Sequence, residues 1–301
     1  MSKQNNPQTS LVVASFGRSV LVEDANGERT LCSPRGKKNL ALVGDIVTWQ
    51  ATGDEGVIDK IEPRRNVLYR QDEIRTKSFA ANLDQILIWQ AVEPEFSHEQ
   101  ITRILIAAEA EKIAVTICLN KDDLPAFEST WKRLQVYADM GYTLLHTSVQ
   151  TGSDIAAIEA LLHGKTSFLI GPSGSGKSSL INRLLPNANI VTNILSHALK
   201  TGKHTTTASA LHWLDESKES ALIDSPGFQA FGLQHIAAAD LAKLMPDIRV
   251  AAEQGCKFYN CTHLHEPHCA VREALAAGKI DARRYSLYTS LFAELSAPPN
   301  Y

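Results

Sequence analysis

Ser167-Phe-Leu-Ile-Gly171-Pro172-Ser173-Gly174-Ser175-Gly176-Lys177-Ser178-Ser179-Leu-Ile-Asn-Arg-Leu-Leu185 is the stretch that decides the fold. Its first four residues are an apolar strand-like run, and Lys177–Leu185 carries a helical pattern. The turn between them fits G-x-x-x-x-G-K-[ST] in the strand-to-helix context that gives the pattern meaning. Gly171, Gly174 and Gly176 let backbone N–H groups turn inward around an anion without Cβ clashes. The helix N-terminus adds partial positive charge. Such a loop cradles the phosphates of a nucleotide, with Lys177 reaching the β- and γ-phosphates and Ser178 offering a hydroxyl to Mg²⁺.

Outward from this loop, strands alternate with helices. Strand-like runs lie at Ile86–Val92, Ala114–Leu119, Thr143–His146, Ala208–Trp213 and Ala221–Ile223. Helical patterns lie at His98–Lys112, Ala126–Met140 and Asp154–Leu162. That alternation predicts a doubly wound α/β domain with a mostly parallel sheet, which binds ligands at its carboxyl edge.

The phosphate loop alone leaves an ATP-dependent enzyme open. Asn120-Lys121-Asp122-Asp123, directly after Ala114–Leu119, favours guanine: an Asp there accepts from both the ring N–H and the exocyclic amine, a donor pair adenine lacks. Asn120 and the stem of Lys121 hold the ring, and Ser148 after the next strand is a second base contact. Asp224-Ser-Pro-Gly227 matches D-x-x-G, with Asp224 holding Mg²⁺ through water and Gly227 offering its N–H to a γ-phosphate. Gly202-Lys-His204-Thr205-Thr206-Thr207 lies between, and one of its threonines, Thr205 or Thr206 foremost, is expected to complete the Mg²⁺ shell when a γ-phosphate is present. In Ras-like GTPases N-K-x-D comes last; here it precedes the phosphate loop, so the domain is circularly permuted. Phe228 follows Gly227 where Ras has the Gln that orients the attacking water. A phenyl ring cannot do that, which makes His204 the candidate for the task.

The flanks differ in texture. Residues 1–10 are a polar tail. Residues 11–75 carry five short strands, Leu11–Ala14, Ser19–Val22, Thr30–Ser33, Asp45–Gln50 and Val57–Glu62, separated by turn-forming Gly, Asn and Pro. They predict a small barrel, either an OB-fold or an SH3-like barrel, with a plain meander as the remaining alternative. Arg29, Arg35, Lys37, Lys38, Lys60, Arg64, Arg65 and Arg70 make it a candidate nucleic-acid surface. After the α/β region of residues 76–236, residues 237–301 read as helices at Ala238–Gln254, Cys269–Ala277 and Ala282–Leu295 around Cys256, Cys261 and Cys269. Three thiolates and one imidazole make a closed, structural zinc site. On spacing alone His263, His265 and His268 all qualify as the fourth ligand.

Composition sets bounds on these readings. The 301 residues are 44% hydrophobic and 21% charged, with net charge −3, so neither a disordered chain nor a wholesale polycation is at hand. The acidity is concentrated in residues 76–240, and each flank is close to neutral. No apolar run is long enough to span a bilayer and residues 1–10 lack a secretory apolar core, so no membrane partner and a cytoplasmic location are expected. Five cysteines disfavour a complete disulfide framework.

The whole pattern resembles the bacterial ribosome small-subunit-dependent GTPase A family. The likeness rests on the barrel, Asn120–Asp123, Gly171–Ser179, His204–Thr207, Asp224–Gly227 and the cysteine cluster, in that order. It implies an OB-fold barrel, His263 as the fourth zinc ligand, GTP and GDP with Mg²⁺ as nucleotides, and the small ribosomal subunit and its rRNA as partners of a monomer. The permutation also leads the D-x-x-G element straight into the cysteine-bearing region, so nucleotide state is expected to reorient that region. A non-enzymatic RNA-binding scaffold with structural nucleotide is the other reading.

Overall fold

The computed structural model describes residues 7–36, 40–71, 76–185, 209–224 and 231–297. Five strands, β1 (Gln8–Phe16), β2 (Ser19–Glu23), β3 (Arg29–Pro34), β4 (Ile46–Thr52) and β5 (Glu55–Ile61), form the barrel at the expected places. Strand β1 pairs with both β2 and β4, and β3 runs parallel to β5, which closes the ring in the order β1-β2-β3-β5-β4. Alternating inward residues, among them Val12, Val20, Val22, Val47, Trp49 and Ile58, fill it. The OB-fold expectation holds: the closed ring removes the meander, and the order β1-β2-β3-β5-β4 with β3 parallel to β5 removes the SH3-like barrel.

A hairpin follows, β6 (Val67–Gln71) and β7 (Thr76–Ala81). The sequence reading set a boundary between residues 75 and 76, inside this hairpin. Leu68, Phe79 and Leu83 are buried in the core of the α/β region rather than in the barrel, and the Val67 amide donates to Glu111 at 2.9 Å.

The α/β region contains β8 (Gln85–Ala91), α1 (His98–Glu111), β9 (Ala114–Asn120), α2 (Phe127–Asp139), β10 (Thr143–Thr147), α3 (Ile155–Leu162), β11 (Thr166–Ile170), α4 (Lys177–Leu184), β12 (Ser209–Trp213) and β13 (Ala221–Asp224). Their order in the sheet is β10-β9-β8-β11-β13-β12, with the first five parallel and β12 antiparallel to β13. Every residue of β8 is buried, as a central strand covered on both faces requires. Strand β12 also pairs with β1 through Ala14–Ala210 and Ser15–Ser209, so barrel and α/β sheet are continuous.

The expected helix Ala238–Gln254 is two elements, a 3₁₀ turn over Ala238–Leu244 and α5 (Pro246–Ala252). Pro246 is the reason: it forces Met245 out of the helical region, to φ −117° and ψ 103°. Helices α6 (Ala270–Ala276) and α7 (Ala282–Ser296) follow. Leu241, Ile248, Tyr288 and Leu291 share one apolar cluster with Ile101, Ile104 and Leu105 of α1. Within that contact Arg284, 2% exposed, donates to both carboxylate oxygens of Asp247 (2.8 and 3.0 Å) and to Thr102 Oγ1 (2.6 Å). Swinging the C-terminal helices off α1 would leave the Arg284–Asp247 pair intact, since both lie in those helices, but would break the Arg284–Thr102 bond and open the shared apolar cluster. Any nucleotide-driven motion of this region therefore works against a packed interface.

The barrel is also held by Glu23, which accepts from Arg29 Nε (2.7 Å), Lys218 Nζ (2.7 Å) and Trp213 Nε1 (2.8 Å), the last two from the β12–β13 hairpin. Burial raises its pKa, but these bonds from Lys218, Arg29 and Trp213 outweigh it and leave the group below its ordinary value of 4.5. A depressed carboxylate stabilises the fold above the unfolded-state pKa and loses that contribution as pH falls through the folded value. Glu23→Gln is expected to lower stability by roughly 1–3 kcal/mol at neutral pH. The gap to wild type should close on acidification below about pH 4.5, as chemical denaturation across pH will show.

Candidate nucleotide site and metal centre

The expected base and phosphate elements meet at the carboxyl edge of the parallel strands. Asn120 ends β9, Lys121, Asp122 and Asp123 form the turn beyond it, Ser148 follows β10, Gly171–Gly176 joins β11 to α4, and Asp224 ends β13. Asn120 binds two of these elements at once: its Nδ2 donates to Ser175 O (2.9 Å) and its Oδ1 accepts from Val149 N (3.1 Å). Lys121, at φ 65°, extends across to donate to the carbonyls of Glu93 and Gly174. Ser148 is buried, and its Oγ accepts from the Thr151 amide at 3.2 Å.

The phosphate loop has the close fit its glycines predict. A Cβ on Gly171 would lie 1.9 Å from Trp89 O. Gly176 has φ 94°, and a Cβ there would lie 2.3 Å from Asn120 Nδ2. Pro172, Ser173 and Gly174 cross the top, and Ser175 is buried beneath with its Oγ donating to Pro172 O at 2.9 Å. Lys177 Nζ lies over the loop and donates to Gly171 O (2.7 Å) and Pro172 O (2.9 Å). Burial holds its pKa below the ordinary value, against a smaller opposing pull from the Asp224 carboxylate. Ser178 and Ser179 are exposed in the first turn of α4. The expected Mg²⁺ donors, Ser178 and Asp224, thus both follow sheet strands at this edge. His204, Thr205, Thr206 and Gly227 lie outside the described residues.

The cysteine cluster assembles as expected. Donor atoms of Cys256, Cys261, His263 and Cys269 all lie within 4.8 Å of one another. His263 Nδ1 is 3.6 Å from Cys256 Sγ and 3.5 Å from Cys269 Sγ, and those sulfurs are 4.0 Å apart. A tetrahedral zinc ion with ordinary bond lengths puts S···S at about 3.8 Å and S···N at about 3.6 Å, so the donor set fits zinc. Burial drives the Cys261 thiol up to about 12, so a set of thiolates here needs a cation. Of the three histidines open on spacing, His263 joins the cluster, at φ 62°.

Several contributors carried no sequence signal. Glu266 organises the metal loop by accepting from Thr262 N and Oγ1, Leu264 N and His265 N (2.6–3.2 Å). Tyr285 and Tyr288 hydroxyls donate to the carbonyls of His263 and Thr262 at 2.7 and 2.8 Å. Beneath the phosphate loop, Trp89 Nε1 donates to Ser175 O at 3.0 Å. The barrel cations differ from expectation in a consistent way. Arg29, Arg35, Lys60, Arg64 and Arg65 are each ion-paired, to Glu23, Asp59, Glu62, Asp45 and Asp84 respectively. Lys37 and Lys38 lie outside the described residues, as does the side chain of Arg70.

A parallel sheet with a phosphate loop, an N-K-x-D turn placed ahead of it in the chain and a D-x-x-G strand end defines a circularly permuted P-loop GTPase. The chain belongs to the RsgA GTPase family, whose model matches residues 61–234. It is 56% identical over 293 residues to a small ribosomal subunit biogenesis GTPase RsgA of Variovorax paradoxus, covering 95% of this chain and 92% of that one. It is 45% identical over 300 residues to the protein of that name from Bordetella pertussis, covering 99% of each. Among solved structures it resembles YjeQ from Thermotoga maritima, at TM-score 0.73 and 31% identity over 97% of this chain and 100% of that one. It also resembles YloQ, described as a circularly permuted GTPase, at TM-score 0.68 and 29% identity over the full length of both.

Gly176→Ala combines a left-handed backbone with a contact at the Asn120 amide. It is expected to weaken GDP binding tenfold or more, since about 1.4 kcal/mol of strain suffices; calorimetric titration with GDP measures it. Cys269→Ser is expected to lose stoichiometric zinc by elemental analysis and to lower the melting temperature.

Proposed function

We propose that the protein hydrolyses GTP to GDP and phosphate when it docks on the small (30S) ribosomal subunit, as a late assembly and maturation factor that binds rRNA. The observation that carries this reading is the junction of the Asn120 turn, the Ser148 loop and the phosphate loop in a chain of the RsgA GTPase family. The relatives' names supply the ribosomal subunit. We read residues 11–75, 76–236 and 237–301 as the three units. The protein works as a cytoplasmic monomer with no membrane partner; among the described residues no helix is long and apolar enough to cross a membrane.

In this reading Asp123 accepts from the guanine ring N–H and amine, and Ser148 contacts the base from the neighbouring loop. Loop amides from Gly171 to Ser179 bind the phosphates. Lys177 leaves its two carbonyl partners for the β- and γ-oxygens, where its charge offsets the charge developing in the transition state. Ser178 and Asp224, with Thr205 or Thr206, are the groups that would hold Mg²⁺, which would supply positive charge beside the phosphates. Gly227 donates to the γ-phosphate. Phe228 leaves the attacking water without a polar partner, and His204 supplies one on the docked subunit. The barrel and zinc unit contact rRNA. Arg35, Lys60 and Arg65 are exposed and turn from their carboxylates to rRNA phosphate, with Lys37 and Lys38 as further contacts, while Arg29 and Arg64 stay with the buried Glu23 and Asp45.

Turnover of GTP with and without purified 30S subunits tests the reading, together with melting shifts for GDP against ADP. Stimulation by the subunit and a shift with GDP alone are expected. Unstimulated turnover would favour the scaffold reading, and an ADP shift equal to that of GDP would favour an ATP-dependent enzyme. His204→Ala is expected to lower stimulated turnover about 100-fold, the scale of a positioned proton-transfer group, while GDP affinity stays unchanged.

A further inference from the structure

The four residues of the base-reading turn are unequal in their commitments. Asn120 is bound to Ser175 and Val149, and Lys121 to Glu93 and Gly174. The Asp122 backbone N–H donates to Thr147 O at 3.2 Å. Its carboxylate is 2.9 Å from His146 Nδ1, and Ser153 Oγ lies 3.2 Å from the same oxygen. Asp123 is exposed and has no side-chain partner among the described residues. Two adjacent carboxylates could each compete for the base edge or rotate the turn; the structure restrains one of them.

His146 is built into that restraint. It lies on β10 two residues before Ser148, so it joins the Ser148 loop to the Asn120–Asp123 turn. Its ring is walled by Phe127 and Trp131 of α2, with centroids 5.1 and 5.2 Å away. Facing a carboxylate, Nδ1 carries the proton and donates it. Asp154 Oδ2, at 3.8 Å, is beyond hydrogen-bond reach and adds a second negative charge beside the ring.

We propose that His146 is a positioning residue for guanine selectivity: by holding the Asp122 carboxylate against the Ser148 loop, it leaves Asp123 as the one carboxylate presented to the base. The inference rests on the guanine-nucleotide reading above and adds to it a side chain that does not touch nucleotide. Its signature is a change in discrimination rather than a general loss of binding. Phosphate contacts come from a different loop, so a nucleotide lacking the exocyclic amine should be affected less than GDP.

The test compares affinities for GDP and inosine diphosphate in wild type, His146→Ala, His146→Asn and Ser153→Ala, all full-length. Asparagine places an N–H donor close to the position of Nδ1. The GDP-to-inosine-diphosphate preference is expected to fall at least about fivefold in His146→Ala and to stay within about twofold of wild type in His146→Asn. Ser153→Ala, which removes the other donor to the same oxygen, is expected to fall between them and keeps the test open should His146→Ala fail to fold. Equal losses for both nucleotides, or an alanine variant with unchanged preference, overturn the inference and leave the GTPase reading intact. A wild type that binds ADP as tightly as GDP overturns the reading itself and the inference with it.

Discussion

One side-chain amide holds the nucleotide end of this molecule together. Asn120 donates to Ser175 in the phosphate loop and accepts from Val149 in the Ser148 loop, so three loops from three different strands share one residue. An aspartate there would set a carboxylate oxygen against the Ser175 carbonyl, and an alanine would leave a buried carbonyl and amide with one partner fewer. Trp89 Nε1 binds the same Ser175 carbonyl from below, which makes that carbonyl the second fixed point. The glycines follow from this crowding: Gly176 is against the Asn120 amide and Gly171 against the Trp89 carbonyl. Base turn and phosphate loop are therefore a single packed unit, even though their chain order is the reverse of the Ras arrangement.

The reversal is tolerable because a sheet specifies neighbours, not the order in which the chain visits them. Strand β8 lies between β9 and β11, and each pairing is parallel whichever strand comes first. What permutation changes is where the flanking units are tied on. The barrel enters the α/β region ahead of β8 and returns to its far edge through β1–β12 and Glu23. The C-terminal helices leave after β13 and return to α1 through Arg284 and a continuous apolar cluster. Each flank is thus fixed at two separated places.

Much of this was legible in the sequence, for identifiable reasons. The phosphate loop, the N-K-x-D turn and the five barrel strands are short, local patterns whose residue types have few other uses. The break at Met245 was equally local, since Pro246 stands in plain view, yet the apolar period of Ala238–Gln254 runs across it and hides it. The fourth metal ligand was not local: His263, His265 and His268 have similar spacing, and only the fold of the loop around Glu266 selects among them. The pairing of barrel arginines with Asp45 and Asp84 was also hidden, because those partners lie some 20 residues away in sequence. A row of cations looks like a free basic face until its counter-ions are found, and a net charge of −3 is the bulk sign that they exist.

The attachment of β1 to β12 has a consequence for how the barrel relates to the threonine-bearing segment. Thr207 is two residues ahead of Ser209, and Ser209 and Ala210 are paired with Ser15 and Ala14 of the barrel. At the other end of β12, Trp213 and the nearby Lys218 are held by barrel Glu23. Strand β13 then runs antiparallel to β12 and ends at Asp224, the start of the D-x-x-G element. The two elements expected to sense a γ-phosphate are therefore joined by a hairpin that the barrel grips at both ends. The barrel and the hairpin that leads to both elements share a continuous hydrogen-bonded sheet, so a load on the barrel is carried through strand pairing to Ser209 and Asp224.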